Sequence, residues 1–423
     1  MKVAIILSLL SALQIHHQTI INAFSSAGFA GGQPLDGFTF SFVAGAFPAG
    51  KIFGTAIVNG LCRKYSLLAG LDLNAICLLF GTILSLVPLT FFLALGRFII
   101  GIGVGCGFVL ASVVTTEFYS FDKRPSAFFI GAIFFGGAAL YSNFCVDLVA
   151  NSGYFWAVVV INAPSVVAGL AYFRDRQLFI DRLCFPLEPL TIAEKDLLKA
   201  DRGIFAPMTV TYVLMALNAT IGVPIIMAFS TIIFTACGIS PAQSARLSVF
   251  YPLVQLTQLG AFRLPSTMPS RRSLILGGYM AALSLQFCFL MSIQGIETNS
   301  ISPKIAATLF LLFAVITSIP CNTAFCFVTE QFPDRETQIA ALAKGRLLLW
   351  FLSTVETTTF KHMLQDWSLF VALLPYFVAS VALLVLLVFS MGAYSNGNFK
   401  NNDEDDVVEA YKRYDAVNFE SSV

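Results

Sequence analysis

Charged residues are scarce in this chain. Of 423 residues only 12% are Asp, Glu, Lys or Arg, whereas 57% are hydrophobic, and the mean hydropathy is +0.80. A soluble domain carries about 25% charged residues, so this composition excludes an ordinary water-soluble protein. The net charge of only +1 provides no long-range attraction for nucleic acid, and we expect no nucleic-acid partner. The composition instead predicts a chain surrounded mainly by the lipid bilayer.

Cysteine and histidine lack the spacings that mark a chemical site. The nine cysteines are scattered, nearly all in apolar stretches, and two of the three histidines are the neighbours His16 and His17. No metal-ligand cluster and no nucleophile close to a base is visible in the sequence, so we expect no metal, no cofactor and no enzymatic activity. We expect free thiols and packed histidines, with pH sensing by the histidine pair as the alternative.

Apolar stretches long enough to cross a bilayer recur along the chain. A bilayer core about 30 Å thick needs about 20 apolar residues in a helix. We count twelve such stretches, and we interpret the first as a spanning helix rather than a signal peptide because no small-residue cleavage pattern closes it. The predicted spans are 3–24, 38–60, 66–86, 91–116, 126–148, 154–173, 207–236, 243–262, 272–293, 304–328, 338–360 and 367–391.

The basic residues predict the orientation and the domain boundaries. With a cytoplasmic N-terminus, 20 of the 25 basic residues fall in cytoplasmic segments or adjoining helix ends, as the positive-inside bias requires. We therefore expect both termini in the cytoplasm. We also expect the protein to reside in the plasma membrane rather than in an organelle. We expect an N-terminal six-helix bundle at 1–173, a cytoplasmic linker at 174–206, a C-terminal six-helix bundle at 207–393 and a disordered acidic tail at 394–423. The C-terminal Val423 fits a weak pattern for capture by a scaffold domain.

Several motifs, taken together, resemble one transporter family. They are Leu13-Gln14 followed by Thr19 and Ile21-Asn22-Ala23, then Gly96-Arg97, the interval from Glu117 to Arg124, the segment Val328 to Pro333, and eight positions between Pro207 and Gly238. These motifs are similar to those of the sugar-porter branch of the major facilitator superfamily, in particular animal facilitative glucose transporter-like proteins. The resemblance covers nearly the whole chain. It implies an all-α membrane protein of two six-helix bundles with a midplane solute site.

The seventh predicted span departs from that family where a hexose would be bound. The paired glutamines of the family fall on Asn218 and Ala219, its asparagine falls on Pro224, and its two tyrosines fall on Ala228 and Phe229. Most hydrogen bonds to a hexose would be lost. We therefore expect a carrier for a small, neutral, sugar-like solute other than glucose, with a sensor or scaffold that does not transport as the alternative.

Amides and aromatic rings within the helices are the candidates for solute binding. A hydroxylated solute must exchange water for such partners, because an unpaired buried polar group costs about 1–3 kcal/mol. The resemblance implies a role for Gln255, which lies where the family has a sugar-contacting asparagine. The alternative is that these amides only join neighbouring helices. The candidate set is Asn218, Gln255, Gln18, Asn322, Phe325 and Trp350.

Gln18 also bears on proton coupling. Proton-coupled relatives carry an aspartate at this position, and a glutamine cannot titrate, so the resemblance implies facilitated diffusion by a uniporter. Proton symport is the alternative if Asp72 or Glu356 has taken over the proton. Lys51 lies inside a predicted span, where it either faces a partner or extends toward the cytoplasmic end of its helix.

Charged residues at the cytoplasmic helix ends predict a gate. We interpret Glu117 with Arg124, and Glu330 with Arg335, as salt bridges that tie the halves together when the cavity opens outward. The alternative is that basic residues there only orient the protein. The candidate gating residues are Arg97, Glu117, Arg124, Arg63, Arg271, Arg272, Glu330 and Arg335. We also expect Gly101, Gly103, Gly105 and Gly107 to allow close helix packing.

Overall fold

The protein is built from helices. The computed structural model describes residues 1–20, 37–119, 123–184, 205–244, 246–250, 252, 271–298, 300–332 and 335–398, and within these residues it contains no β-strand. The all-α class predicted from the sequence is therefore confirmed. The helices are α1 (Lys2–Thr19), α2 (Gly37–Lys64), α3 (Leu67–Ser85), α4 (Thr90–Phe118), α5 (Arg124–Phe144), α6 (Val146–Asn151), α7 (Tyr154–Arg174), α8 (Gln177–Leu183), α9 (Phe205–Thr220), α10 (Val223–Ala236), α11 (Arg271–Glu297), α12 (Pro303–Glu330), α13 (Arg335–Asp366) and α14 (Leu369–Asn398).

Ten of the predicted spans each correspond to one helix, and the seventh corresponds to the pair α9 and α10. Nine spans within the described residues are long and apolar enough to cross a membrane. α1 and α13 occupy the first and eleventh predicted spans but are less apolar, and α13 carries charges within its length, including Arg346 and Glu356. Most of the eighth predicted span, 243–262, lies outside the described residues. The chain is a multi-pass membrane protein.

Glycines bring α2 and α4 into close contact. A Cβ atom on Gly101 or Gly105 of α4 would overlap the backbone of α2, and a Cβ on Gly50 of α2 would overlap the backbone of α4. On another face of α4, a Cβ on Gly107 would overlap the side chain of Asn74 in α3. Small residues at these positions allow backbones to approach directly. The predicted packing role of the α4 glycines is confirmed.

The two halves of the chain meet along several helices. α2 and α4 pack against α13, α1 packs against α10, and α4 and α5 pack against α12. We distinguish two ends of the bundle. The linker end contains the C-termini of α2, α4 and α7 and the N-termini of α5, α11 and α13, and the far end is the opposite one. These contacts bring α1, α4, α10, α12 and α13 together where the halves meet.

Candidate functional site

A central chamber of about 100 Å³ lies between the two halves. α1, α4 and α5 supply one side of its wall, and α9, α10, α12 and α13 supply the other. Gln255 lies outside the described residues. The other five residues predicted to bind solute line this chamber, and they are Gln18, Asn218, Asn322, Phe325 and Trp350.

Four residues that line the chamber each carry a buried side-chain polar atom with no hydrogen-bond partner among the described residues. These atoms are Gln14 Oε1, Asn218 Nδ2, Trp350 Nε1 and Ser353 Oγ. Each unpaired buried donor or acceptor costs about 1–3 kcal/mol. Four such atoms around one chamber therefore form a set of groups that a polar molecule in the chamber would satisfy.

Gln14 and Ser353 are wall residues that the sequence reasoning missed. Gln14 lies four residues before Gln18 on α1, and Ser353 lies three residues after Trp350 on α13. Residues three or four apart share one face of a helix. That spacing from the predicted residues was the signal that could have identified both.

A break in the seventh predicted span shapes one side of the chamber. α9 ends at Thr220, α10 begins at Val223, and Gly222 between them has a φ of 96°. This left-handed backbone conformation is easy for glycine and costs other residues about 1–2 kcal/mol. One turn before the break, Asn218 Oδ1 accepts a hydrogen bond of 2.5 Å from Tyr279 Oη. The amide nitrogen of Asn218 is thereby left for the chamber.

Lys51 lies directly behind the chamber wall. Its side chain is only 2% exposed, so the lysine does not extend to the membrane surface. Its Nζ donates a hydrogen bond of 3.1 Å to Gln18 Oε1 and lies 3.8 Å from the centroid of the Trp350 ring. No carboxylate among the described residues pairs with it.

The two neutral contacts of Lys51 roughly offset the free-energy cost of burying its charge. A charge within a membrane-spanning helix costs at least about 2.5–3.5 kcal/mol. A cation over an aromatic ring gains about 0.5–2 kcal/mol, and one hydrogen bond from a charged group gains about 1.5–3 kcal/mol at most. The cost of burying the charge is therefore offset only when Lys51 contacts both Gln18 and Trp350.

An aromatic partition separates the chamber from a second cavity. The Phe108 ring lies 5.4 Å from Phe325, 6.0 Å from Phe135 and 5.8 Å from Trp350, measured between centroids. The guanidinium of Arg346 lies 3.8 Å from the Phe108 centroid and 4.9 Å from the Phe325 centroid. It also donates to the Phe108 carbonyl and, at 3.0 Å, to Ser112 Oγ. Arg346 therefore fixes the partition from the linker side.

The second cavity, of about 400 Å³, lies toward the linker end, and we call it the linker-side cavity. Both cavities share Phe108, Phe135 and Phe325 in their walls, so the partition is their common boundary. Arg271 and Arg346 are the charged residues in the described lining of the linker-side cavity. The central chamber has no charged residue in its described lining.

Two ion pairs join the halves at the linker end. Glu117 of α4 pairs with Arg335 of α13, and Arg63 of α2 pairs with Glu336 of α13. The sequence reasoning paired Glu117 with Arg124 and missed Glu336. The described partner of Glu117 lies instead in the opposite half of the chain, because α4 ends beside the start of α13 in the folded protein.

The remaining predicted gating residues lie at or near the same end. The Arg124 guanidinium donates to the backbone carbonyls of Thr116 and Tyr119, both at 3.1 Å. Arg271 lines the linker-side cavity, and Arg272 is exposed beside it at the start of α11. Glu330 is the last residue of α12, and its side chain lies outside what the structure describes.

Arg97 lies elsewhere, toward the far end. Its Nε donates to the carbonyl of Val43 at 3.0 Å, and Nη2 donates to the carbonyl of His17 at 3.1 Å. It thereby links α4 to α2 and α1 within one half. The neighbouring ring of His16 contacts Ser142 Oγ at 2.7 Å and the carbonyl of Ile161 at 2.6 Å, consistent with the packed histidines expected from the sequence.

The two carboxylates considered for proton coupling differ sharply. Asp72 forms two hydrogen bonds of 2.7 Å with Arg176 and accepts one of 2.8 Å from Tyr172. Glu356 on α13 is 3% exposed, and neither of its carboxylate oxygens has a partner among the described residues.

For metals, the described part of the chain contains no group of three or more His, Cys, Asp or Glu side chains suited to ligation.

No protein-family profile and no curated protein matches this sequence. The structure, however, is similar to several solved membrane transporters. A D-xylose–proton symporter matches with 16% identity and a TM-score of 0.66, covering 92% of this chain and 96% of that one.

Two further structures share the fold. The proton:xylose symporter XylE of the major facilitator superfamily, bound to 6-bromo-6-deoxy-D-glucose, matches with 14% identity and a TM-score of 0.70, covering 91% of this chain and 94% of that one. A POT family transporter in complex with a thioalcohol-conjugated peptide matches with 14% identity and a TM-score of 0.65, covering 92% and 96%. The chain therefore has the major facilitator fold.

Proposed function

We propose that this chain is a transmembrane carrier that moves a small hydroxylated solute through the central chamber by alternating access. The observation that supports this most directly is that four residues lining one chamber between the halves each carry a buried polar atom with no described hydrogen-bond partner. Carriers of this architecture bind solute near the midplane, where the two halves meet. If these side chains only joined neighbouring helices, their polar atoms would be hydrogen-bonded to those helices. A purely structural role therefore leaves the four unpaired atoms unexplained.

The solved transporters of the same fold support a sugar-like solute. They include a D-xylose–proton symporter and the proton:xylose symporter XylE, and the XylE structure is bound to 6-bromo-6-deoxy-D-glucose. Hydroxyl groups both donate and accept hydrogen bonds, and so do the chamber's free atoms taken together. The linker end would face the cytoplasm, since basic residues concentrate in the segments on that side.

Uptake into proteoliposomes tests the proposal. We expect saturable uptake of at least one member of a panel of labelled hexoses, pentoses, polyols and their acids. Trp350→Phe removes the Nε1 donor and keeps a smaller aromatic ring in its place, and loss of one hydrogen bond of about 1 kcal/mol should raise KM about fivefold. Trp156→Phe is the matched control, because Trp156 is exposed on α7. Binding without any uptake would contradict the proposal and favour a sensor.

Proton symport is a second candidate because of Glu356. Both oxygens of this buried carboxyl group lack a described partner, and an ionisable group within a membrane helix is a candidate for a proton relay. Asp72 is less suited, because Arg176 and Tyr172 already occupy its oxygens.

A pH gradient separates uniport from symport. A uniporter takes up solute at the same initial rate with and without the gradient, and Glu356→Gln leaves that rate unchanged. A symporter accumulates solute against its concentration gradient, and Glu356→Gln abolishes the accumulation while exchange at equal pH persists. Asp366→Asn serves as the control for replacing a carboxylate on the same helix, because Asp366 is exposed at the last position of α13.

A further inference from the structure

Basic side chains lie at both cavities that would form the solute path. Lys51 lies behind the central chamber, and Arg346 lines the linker-side cavity. The contacts of both cations are neutral, consisting of amide, hydroxyl and carbonyl oxygens and aromatic rings. No acidic residue stands in the described lining of either cavity.

These cations lie deep in the membrane. Arg346 is eleven residues from the start of α13 and Lys51 is thirteen from the end of α2, so at 1.5 Å per residue they lie about 17 Å and about 20 Å from the linker end. Basic residues that only orient a membrane protein lie in loops and at helix ends. Topology therefore does not explain either residue.

The free polar atoms of the chamber are mostly donors. Gln18 presents its oxygen to Lys51, because an ammonium group can only donate, and this leaves the Gln18 amide nitrogen as a donor. The oxygen of Asn218 is occupied by Tyr279, so its nitrogen is free. Trp350 Nε1 can only donate. Gln14 Oε1 is the one unpaired atom on the wall that can only accept, and the Ser353 hydroxyl can do either.

We propose that the solute carries a carboxylate, and that Lys51 is its countercharge in the chamber. The inference rests on the proposed carrier function and replaces the neutral solute predicted from the sequence with a sugar acid, a hydroxylated monocarboxylate. The carboxylate would accept from the donors of Gln18, Asn218 and Trp350, close to the Lys51 ammonium. The hydroxyl groups would bind Gln14 and Ser353. Arg346 would attract the anion at the partition.

Matched pairs of an acid and its neutral analogue test this proposal. In proteoliposomes we compare uptake of labelled D-gluconate with D-sorbitol, D-glucuronate with D-glucose and glycerate with glycerol. We expect KM for at least one acid to be tenfold or more below that of its neutral partner. Lys51→Met should raise that KM at least tenfold, and Lys51→Arg should retain most of the preference. Lys344→Met, at an exposed lysine of α13, should leave KM unchanged.

A binding measurement on the unmodified protein covers the case in which Lys51→Met fails to fold. Sodium D-gluconate should stabilise purified protein against thermal unfolding more than D-sorbitol in sodium chloride of equal ionic strength. Saturable uptake and stabilisation by neutral solutes alone would overturn the carboxylate proposal and leave the carrier function intact. Uptake of neither class would overturn the carrier function, and the carboxylate proposal with it.

Discussion

At the scale of single residues, Lys51 and Arg346 are buried charges whose described contacts are neutral groups. Lys51 rests against Trp350 and Gln18, and Arg346 rests against two phenylalanine rings and the backbone of α4. Such contacts fix the position of a cation without neutralising it. A cation arranged in this way stays available to a mobile anion, whereas a lysine paired with a resident carboxylate would not.

Gly105 shows how a single position holds Lys51 in place. A Cβ atom there would overlap the backbone of Lys51 itself, so Gly105→Ala must push α2 away from α4. Overpacking typically costs about 1–3 kcal/mol, and here backbone rather than a flexible side chain has to move. We expect a lower thermal midpoint and weaker solute binding.

The measurement is thermal unfolding in detergent with and without the best solute of the uptake panel. Gly60→Ala on α2 is the control, since a Cβ there meets nothing within 4 Å. Equal thermal midpoints for the two variants would show that the α2–α4 contact does not position the lysine.

At the scale of whole elements, the hydropathy of the sequence predicts the helices but not the breaks within a predicted span. Long apolar runs can satisfy backbone polar groups in lipid only as helices, so eleven of the predicted spans could be placed from composition alone. The seventh was predicted as one continuous helix, 207–236. Its division at Gly222 depends on a backbone angle, and a glycine within an apolar run does not by itself indicate one.

The break between α9 and α10 is expected to act as a hinge of the chamber wall. A chamber of about 100 Å³ corresponds to about three water molecules at liquid density, so a sugar acid requires the wall to move outward. The hinge residue must keep the left-handed conformation, which asparagine tolerates and β-branched residues do not. We expect Gly222→Val to lower the maximal uptake rate at least tenfold, and Gly222→Asn to retain most of it.

Initial uptake rates at saturating solute measure this effect. A Cβ at Gly222 meets nothing within 4 Å, so the loss would reflect backbone conformation rather than a clash. Gly137→Val on α5 is the control, because a Cβ there also meets nothing within 4 Å and the φ is not left-handed. Full activity of Gly222→Val would remove the hinge from the mechanism.

At the scale of the whole molecule, five of the six residues predicted to bind solute line the central chamber, but the contacts between distant residues could not be predicted. Asn218 and Trp350 follow from sequence position, and both line the chamber. The pairing of Glu117 with Arg335 could not be predicted from the sequence, because the two residues are 218 positions apart and meet only in the folded protein. Sequence patterns report neighbours on one helix, whereas a carrier places its working contacts between the halves.

The two ion pairs at the linker end should therefore set the balance between conformations rather than the stability of the fold. Partly exposed pairs contribute about 0–1 kcal/mol each, and Arg335 and Glu117 retain side-chain exposures of 42% and 19%. A change of 1.4 kcal/mol alters an equilibrium tenfold. We expect Glu117→Arg and Arg335→Glu each to open the linker end several-fold more often, and the double exchange Glu117→Arg with Arg335→Glu to restore the original balance.

Cys326 reports this opening because it lines the linker-side cavity. In a background whose other eight cysteines are alanine, its labelling rate by a membrane-impermeant maleimide should rise several-fold in each single variant and return in the double variant. Arg174→Glu is the control, since Arg174 pairs with its neighbour Asp175 in the same half. Restoration by the double exchange requires direct contact between the two residues. Labelling that stays high in the double variant would place the closing force elsewhere, with Arg63 and Glu336 as the next pair to exchange.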